Sequence, residues 1–309
     1  MSLLRSAFLW ASTNPWLAER LPRRSFARRA VRRFMPGETL ADAIAASGPL
    51  VSRGIGTVVT QLGEEVRDGA EAAAVAAHYR EADALIAQRA LDIELSIKPT
   101  HLGISVAPAQ LDAFVVELGR AADARGRKLW IDMEGSKWTD ATLALARRAR
   151  AQTAGVGLCV QANLRRTETD LQPLLDDDVS IRLVKGAYLE PASIAFDSKR
   201  EVDAAYLALA HRIIEHASKT TERKARYAFG THDAAIVAAL RQAGVGRVPG
   251  CEIQMLYGIG PSAQKELADA KVPHRILISY GEKWFPWYMR RLAERPANVL
   301  FLLRSLVAR

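Results

Sequence analysis

The sequence predicts one (βα)8, TIM-like barrel with an N-terminal helical extension. Three observations support this. From residue 55 onward, eight short β-prone runs alternate with eight helical patterns. Strict alternation of this kind builds a parallel sheet, because each strand needs a crossover helix to reach the next. The eight units span about 250 residues, the size of such a barrel. A doubly wound sheet usually carries a glycine-rich phosphate turn after its first strand. Here Gly54-x-Gly56 precedes the first run instead of opening a helix, and no Walker-type loop follows.

Residues 1–50 are expected to form a helical arm and residues 51–309 the barrel. In the arm, Asn14 and Pro15 suit a helix start. The run from Arg20 to Arg33 holds seven arginines, interleaved with Leu21, Phe26, Ala30 and Val31 at roughly helical spacing, and it stops at Pro36-Gly37. A short alanine-rich helix over Glu38–Ala46 is expected to close at Gly48-Pro49. The barrel strands are expected at Ile55–Leu62, Asp92–Lys98, Leu129–Met133, Val156–Ala162, Ile181–Gly186, Arg226–Thr231, Cys251–Leu256 and Arg275–Ser279. Their helices are expected at 71–91, 111–125, 140–152, near 168–176, 197–218, 233–243, 261–270 and from about Trp284.

The formal net charge of +9 over 309 residues suits an anionic ligand, an anionic membrane surface or nucleic acid. The charge is concentrated in the arginine run. That run reads either as a solvated helix face or as a contact with anionic lipid. Cys159 and Cys251 are far apart in apolar runs, so neither a disulfide framework nor a Cys-x-x-Cys site is expected. Reduced core thiols of a cytoplasmic protein are the expectation. The apolar patch at the start is too short to span a bilayer.

The active site of such a barrel lies at the C-terminal ends of its strands. The polar residues there are Glu64, Lys98, Asp132, Glu134, Gln161, Asn163, Arg182, Lys185, Thr231, His232, Gln254 and Ser279. They contain no His or Cys cluster with metal spacing, so no metal is expected. A ring rich in Lys, Arg, Gln and His suits a polyanion with hydrogen-bonding heterocyclic edges. Lys185-Gly186 and Thr231-His232, on adjacent strands, are a candidate diphosphate cradle, with Thr231 also a plausible helix cap. In the last segment Arg290 and Arg291 suit a guanidinium fork on a carboxylate, or an Arg290–Glu294 pair.

Seven ordered motifs then resemble the flavin-dependent proline dehydrogenase family in its monofunctional bacterial form. They are S-I-K-P at Ser96–Pro99, I-D-M-E-G-S at Ile131–Ser136, V-Q-A at Val160–Ala162, I-R-L-V-K-G-A-Y at Ile181–Tyr188, T-H-D at Thr231–Asp233, E-I-Q-M-L-Y-G at Glu252–Gly258 and Y-M-R-R-L-A-E-R-P-A-N at Tyr288–Asn298. The resemblance implies a distorted (βα)8 barrel holding FAD noncovalently, oxidation of L-proline to Δ1-pyrroline-5-carboxylate, and electron transfer to membrane quinone. It implies that Arg182 contacts the flavin near N5 and that Asp132 orders that site. It implies that Met133, Gln161, Lys185, Gly186, Ala187, Thr231 and His232 line the cofactor. Lys98, Arg290 and Arg291 would bind the substrate carboxylate, Tyr188, Leu256 and Leu277 would pack near the ring, and Glu64 would be a gate pairing with Arg290. A small-molecule substrate and quinone are the implied partners, with no nucleic acid and with a peripheral contact to the inner face of the cytoplasmic membrane. Two positions depart from the family: Leu277 and Trp287 stand where tyrosines are usual. They leave a related cyclic amino acid such as hydroxyproline as a second substrate reading. A non-catalytic basic barrel that binds an acidic partner is the third reading.

Overall fold

The computed structural model describes residues 10–11, 14–20, 31–219, 224–285 and 287–289. Eight strands form a closed barrel in chain order, every neighbouring pair parallel. They are β1 Gly56–Gln61, β2 Ile93–Ile97, β3 Leu129–Ile131, β4 Val156–Gln161, β5 Ser180–Val184, β6 Tyr227–Gly230, β7 Cys251–Leu256 and β8 His274–Tyr280. The expected (βα)8 barrel is therefore present, with strand positions close to those read from the sequence.

The described helices are α1 Pro15–Arg20, α2 Leu40–Val51, α3 Gly69–Gln88, α4 Pro108–Asp123, α5 Thr139–Arg150, α6 Thr167–Asp176, α7 Lys199–Lys219, α8 Ala234–Ala243 and α9 Pro261–Asp269. Where they start follows from local chemistry. Thr39 and Asp42 form a reciprocal capping box on α2, Asp68 caps α3 through Glu71 N–H, and Asp233 caps α8. The α8 cap is thus Asp233 and not Thr231, whose hydroxyl accepts from the Asp233 N–H instead.

The expected stop at Gly48-Pro49 is not one. Helix α2 runs through Pro49 to Val51. A proline near the end of a helix costs one hydrogen bond to the preceding turn, and here the following turn compensates. Gly54 (φ +74°) donates to Val51 O, and Ile55 donates to Leu50 O, so a left-handed glycine ends the helix five residues later. Ala43 and Ile44 of α2 are buried in the same apolar cluster as Ile55 and Val59.

Residues alternate across each strand. One set, including Val59, Ile97, Ile131, Leu158, Leu183, Phe229, Ile253 and Ile278, packs outward in the apolar layer under the helices. The other set faces the lumen, where Val58, Trp130, Ala228 and Leu277 form a small separate cluster. Much of the rest of the lumen is polar, with Ser96, Arg182, Gln254 and Arg275 among its side chains. A second apolar cluster joins the arm to the far end of the chain: Val31, Phe34, Met35, Leu62, Trp284, Phe285, Trp287, Tyr288 and Met289 pack together, and Trp284 Nε1–H donates to Glu38.

Candidate active site

The lumen-facing alternation brings Ser96 of β2, Asp132 just past β3, Cys159 of β4, Arg182 of β5 and Gln254 of β7 to one level, with Lys98 above Ser96. Asp132 is the junction. Its Oδ1 accepts from the Ser96 hydroxyl at 2.9 Å and from the Arg182 guanidinium, and its Oδ2 lies 3.3 Å from Lys98 Nζ. Arg182 is only 3% exposed and spreads over the face of Trp130, 5.1 Å from the ring centroid. Gly157 makes this possible, because a Cβ there would lie 2.6 Å from the indole.

Burial alone would push the Asp132 carboxyl upward. Lys98, Arg182 and the Ser96 hydroxyl outweigh it and hold Asp132 below the usual carboxylate range. For Lys98, burial acts to lower the ammonium, but Asp132 first, then Tyr188, Glu134 and Glu64, raise it above its ordinary value. Lys98 and Arg182 therefore stay charged against a single bridging carboxylate, and this group carries one excess positive charge. That excess suits a bound anion.

The remaining expected residues lie at and around the strand ends. Gln161 is 2% exposed and donates its amide to the Met133 and Glu134 carbonyls, while its Oε1 is buried with no protein partner. Met133 offers that backbone carbonyl, and its side chain belongs to the outer apolar cluster. Gly186 has φ +105°, and a Cβ there would lie 2.0 Å from Asn163 Oδ1, so only glycine fits this turn. Ala187 beside it is exposed. His232 Nε2 accepts the Leu256 N–H at 3.0 Å, which leaves the ring proton on Nδ1 when the imidazole is neutral. Leu256, Tyr188 and Glu64 are half-buried around the mouth.

Lys185 is placed differently from a free phosphate ligand. Its ammonium lies 2.5 Å from Asp203 of α7 and 3.3 Å from Asp233, and Lys199 shares both carboxylates. Arg290 and Arg291 lie outside the described residues, as do the Arg290–Glu294 pair and the Glu64–Arg290 gate. Loops cross-link over the mouth: Lys137 pairs with Glu65 at 2.7 Å, and the Ser136 N–H and hydroxyl both donate to Glu190. Among the described residues no group of three His, Cys, Asp or Glu side chains could hold a metal ion.

The family model for proline dehydrogenase matches residues 43–304. The chain belongs to the proline dehydrogenase family. It is 33% identical over 308 residues to proline dehydrogenase 1 of Bacillus subtilis subsp. natto, covering 99% of each chain. It is 30% identical over 314 residues to the proline dehydrogenase of Deinococcus radiodurans, covering 99% of this chain and 98% of that one. Among solved structures it is similar to proline utilization A from Bdellovibrio bacteriovorus inactivated by N-propargylglycine. The TM-score is 0.79 at 21% identity, over 94% of this chain and 36% of that one, a likeness of fold. The chain is an enzyme of the proline dehydrogenase family built on a (βα)8 barrel.

Sequence reasoning missed Ser96, Trp130 and Cys159 as parts of this site. Cys159 is buried and free, as expected of a core thiol, yet its sulfur faces Arg182: burial pushes the thiol up and the guanidinium acts to lower it. Period-two counting back from Lys98 and Asp132 would have found Ser96 and Trp130.

Proposed function

We propose that this chain oxidises L-proline to Δ1-pyrroline-5-carboxylate, with FAD held noncovalently at the C-terminal mouth of the barrel and electrons passed to membrane quinone. The observation that supports this most is the buried Lys98–Asp132–Arg182 group in a chain of the proline dehydrogenase family. Its excess positive charge fits both a substrate carboxylate and a cofactor that gains negative charge on reduction. Gln161 Oε1, buried and unsatisfied, fits the N–H edge of a heterocycle, and the tight Gly186 turn lets backbone approach closely. The donor set fits FAD.

FAD, when bound, supplies the two-electron acceptor. The residues supply position and electrostatics. Lys98, joined by Arg290 and Arg291, anchors the carboxylate, so the ring carbon on the far side of the nitrogen is the one presented for hydride loss. Arg182, preorganised by Asp132, Ser96 and Trp130, stabilises the negative charge that develops. Met133, Gln161, Gly186, Ala187, Thr231 and His232 border the cofactor, with Lys185 toward its diphosphate. Tyr188, Leu256 and Leu277 shape the ring pocket, and Glu64 gates it. The substrate amine must be neutral to release hydride.

Leu277 supports a second reading of the substrate. It is half-buried against Val58, Trp130 and Ala228 and offers no hydroxyl where the family usually has a tyrosine. A related cyclic amino acid such as hydroxyproline would then compete with proline. Anaerobic bleaching of the flavin band with proline, hydroxyproline and pipecolate tests both readings. A purified protein with no flavin band overturns both.

The arm supports a peripheral membrane contact. Trp10 and Trp16 are 63% and 60% exposed, Arg20 stacks over Trp16, and the arginine run follows. Among the described residues no helix is long and apolar enough to cross a membrane. Removal of residues 1–36 is expected to abolish binding to anionic liposomes and to lower quinone-coupled turnover. Unchanged values overturn the contact.

A further inference from the structure

Beneath the site the lumen holds a second buried charge group, and two neutral side chains, Trp130 and Gln254, join the two. Glu94 pairs with Arg226, lies 3.6 Å from Arg275 Nε, and accepts from Trp130 Nε1–H at 2.8 Å. Arg275 also reaches Asp92 at 2.8 Å and Glu252 at 3.2 Å. This floor sets three cations, Arg226, Arg275 and the buried Lys128, against three anions, Asp92, Glu94 and Glu252. The upper group of Lys98, Arg182 and Asp132 carries one excess positive charge. Gln254 lies between them, 4% exposed: its Oε1 accepts from Arg182 Nη1 at 3.3 Å and its Nε2 donates to Glu252 Oε1 at 2.8 Å.

An amide between a guanidinium and a carboxylate has one stable orientation. Flipping Gln254 would aim its N–H groups at the Arg182 cation and its oxygen at the Glu252 anion. Both contacts would be repulsive in a water-poor lumen, where such interactions are strengthened. Asp132 and Ser96 hold one terminal nitrogen of Arg182, and Gln254 holds the other. A guanidinium fixed at both terminal nitrogens and stacked on Trp130 has little freedom to turn.

We propose that Gln254, locked in orientation by Glu252, is a positioning residue that fixes the Arg182 guanidinium at the angle the reaction requires. Gln254 touches neither substrate nor cofactor in this role; it acts through Arg182. The proposal rests on the reading above that Arg182 faces the flavin. It gives the charged floor a role in the site above it: Glu252 sets the amide, the amide sets the arginine, and Arg275 keeps Glu252 in place.

The test uses flavin-loaded enzyme carrying Gln254→Leu, Glu252→Gln, both together, and Arg182→Lys as reference. Flavin midpoint potential, the proline-driven bleaching rate and its proline dependence are measured. Gln254→Leu and Glu252→Gln are each expected to shift the midpoint potential to more negative values. Each should slow bleaching about tenfold while the proline dissociation constant changes less than about twofold. The double variant should be no slower than Gln254→Leu alone, because both substitutions act along one route. Should Gln254→Leu fail to load flavin, Glu252→Gln carries the same expectations. Wild-type potential and bleaching rate in both single variants, with Arg182→Lys impaired, overturn the Gln254 proposal. An unaltered Arg182→Lys overturns the reading of Arg182, and the proposal with it.

Discussion

Lys98 and Asp132 meet across neighbouring strand ends, ammonium to Oδ2 at 3.3 Å, while the other oxygen of the same carboxylate is taken by Arg182 and Ser96. One anion therefore orders two cations that repel each other. Replacement of Asp132 by alanine leaves two buried charges without their shared partner, and breaking a buried pair in this way costs ~3–5 kcal/mol. Urea denaturation of Asp132→Ala should show a loss of that size, and Asp132→Asn a smaller one. The acid limb separates charge from shape. The folded carboxyl is held low, so its contribution is fully present above the unfolded value of about 3.9 and is lost as pH falls through the folded value. The stability gap between wild type and Asp132→Asn should therefore narrow below about pH 4. A gap independent of pH would show that Asp132 acts only through packing.

His101 gives a pH dependence in a different window. Burial pushes its imidazole down to about 4, with the positive charges of Lys283 and Lys98 acting the same way. The unfolded chain takes up the proton near its ordinary value of about 6.5, while the folded protein resists until about 4. Stability should thus fall as pH drops from about 6.5 to about 4, by roughly 3 kcal/mol, and level off below. His101→Asn should flatten denaturation midpoints across that window; an unchanged slope would assign the effect to other groups.

The ring of His101 also supports the loop that carries Glu64. A Cβ at Gly63 would sit 2.1 Å from His101 Nε2. Gly63→Ala should push the loop off this support, costing ~1–3 kcal/mol by overpacking. Because Glu64 follows directly, KM for substrate should rise more than kcat falls. The cavity-making partner change, Gly63→Ala with His101→Ala, should restore part of the loss. No recovery in the double variant would show that the two residues are not in steric conflict.

Much of the barrel was legible because its signals are local. Apolar β-prone runs and helical patterns alternate eight times, and Lys98, Asp132 and Arg182 stand out as charges at or near strand ends. What was not legible depends on closure. Ser96 and Trp130 acquire their roles only when β2, β3 and β5 are in register around one lumen. Glu94, Glu252, Arg226 and Arg275 look like salt-bridging charges at strand starts; only the closed barrel turns them into a shared floor. Lys185 was read as part of a diphosphate cradle, and in the structure its ammonium meets Asp203 and Asp233 of the chain itself, distant in sequence. Pro49 misled because its helix continues for local hydrogen-bonding reasons that a stop rule does not weigh.

Leu277 offers the sharpest test of what this barrel accepts. It lies in register with Val58 of β1 and packs on Trp130 and Ala228, so it is part of the lumen wall and not of the outer layer. A tyrosine there would add bulk and a hydroxyl without altering the strand, since its neighbours Ile276 and Ile278 face the opposite side. A hydroxyl that must lie against a substrate ring discriminates strongly between a ring carbon bearing hydrogen and one bearing oxygen, because a misfit leaves a polar group unpaired. Leu277→Tyr should therefore raise the ratio of proline to hydroxyproline turnover, measured as kcat/KM for each, by about tenfold or more. The flavin midpoint potential should stay at the wild-type value, because the Lys98–Asp132–Arg182 group is untouched. An unchanged ratio would remove Leu277 from the ring pocket and leave proline selectivity to residues nearer the mouth, Tyr188 and Leu256 first among them.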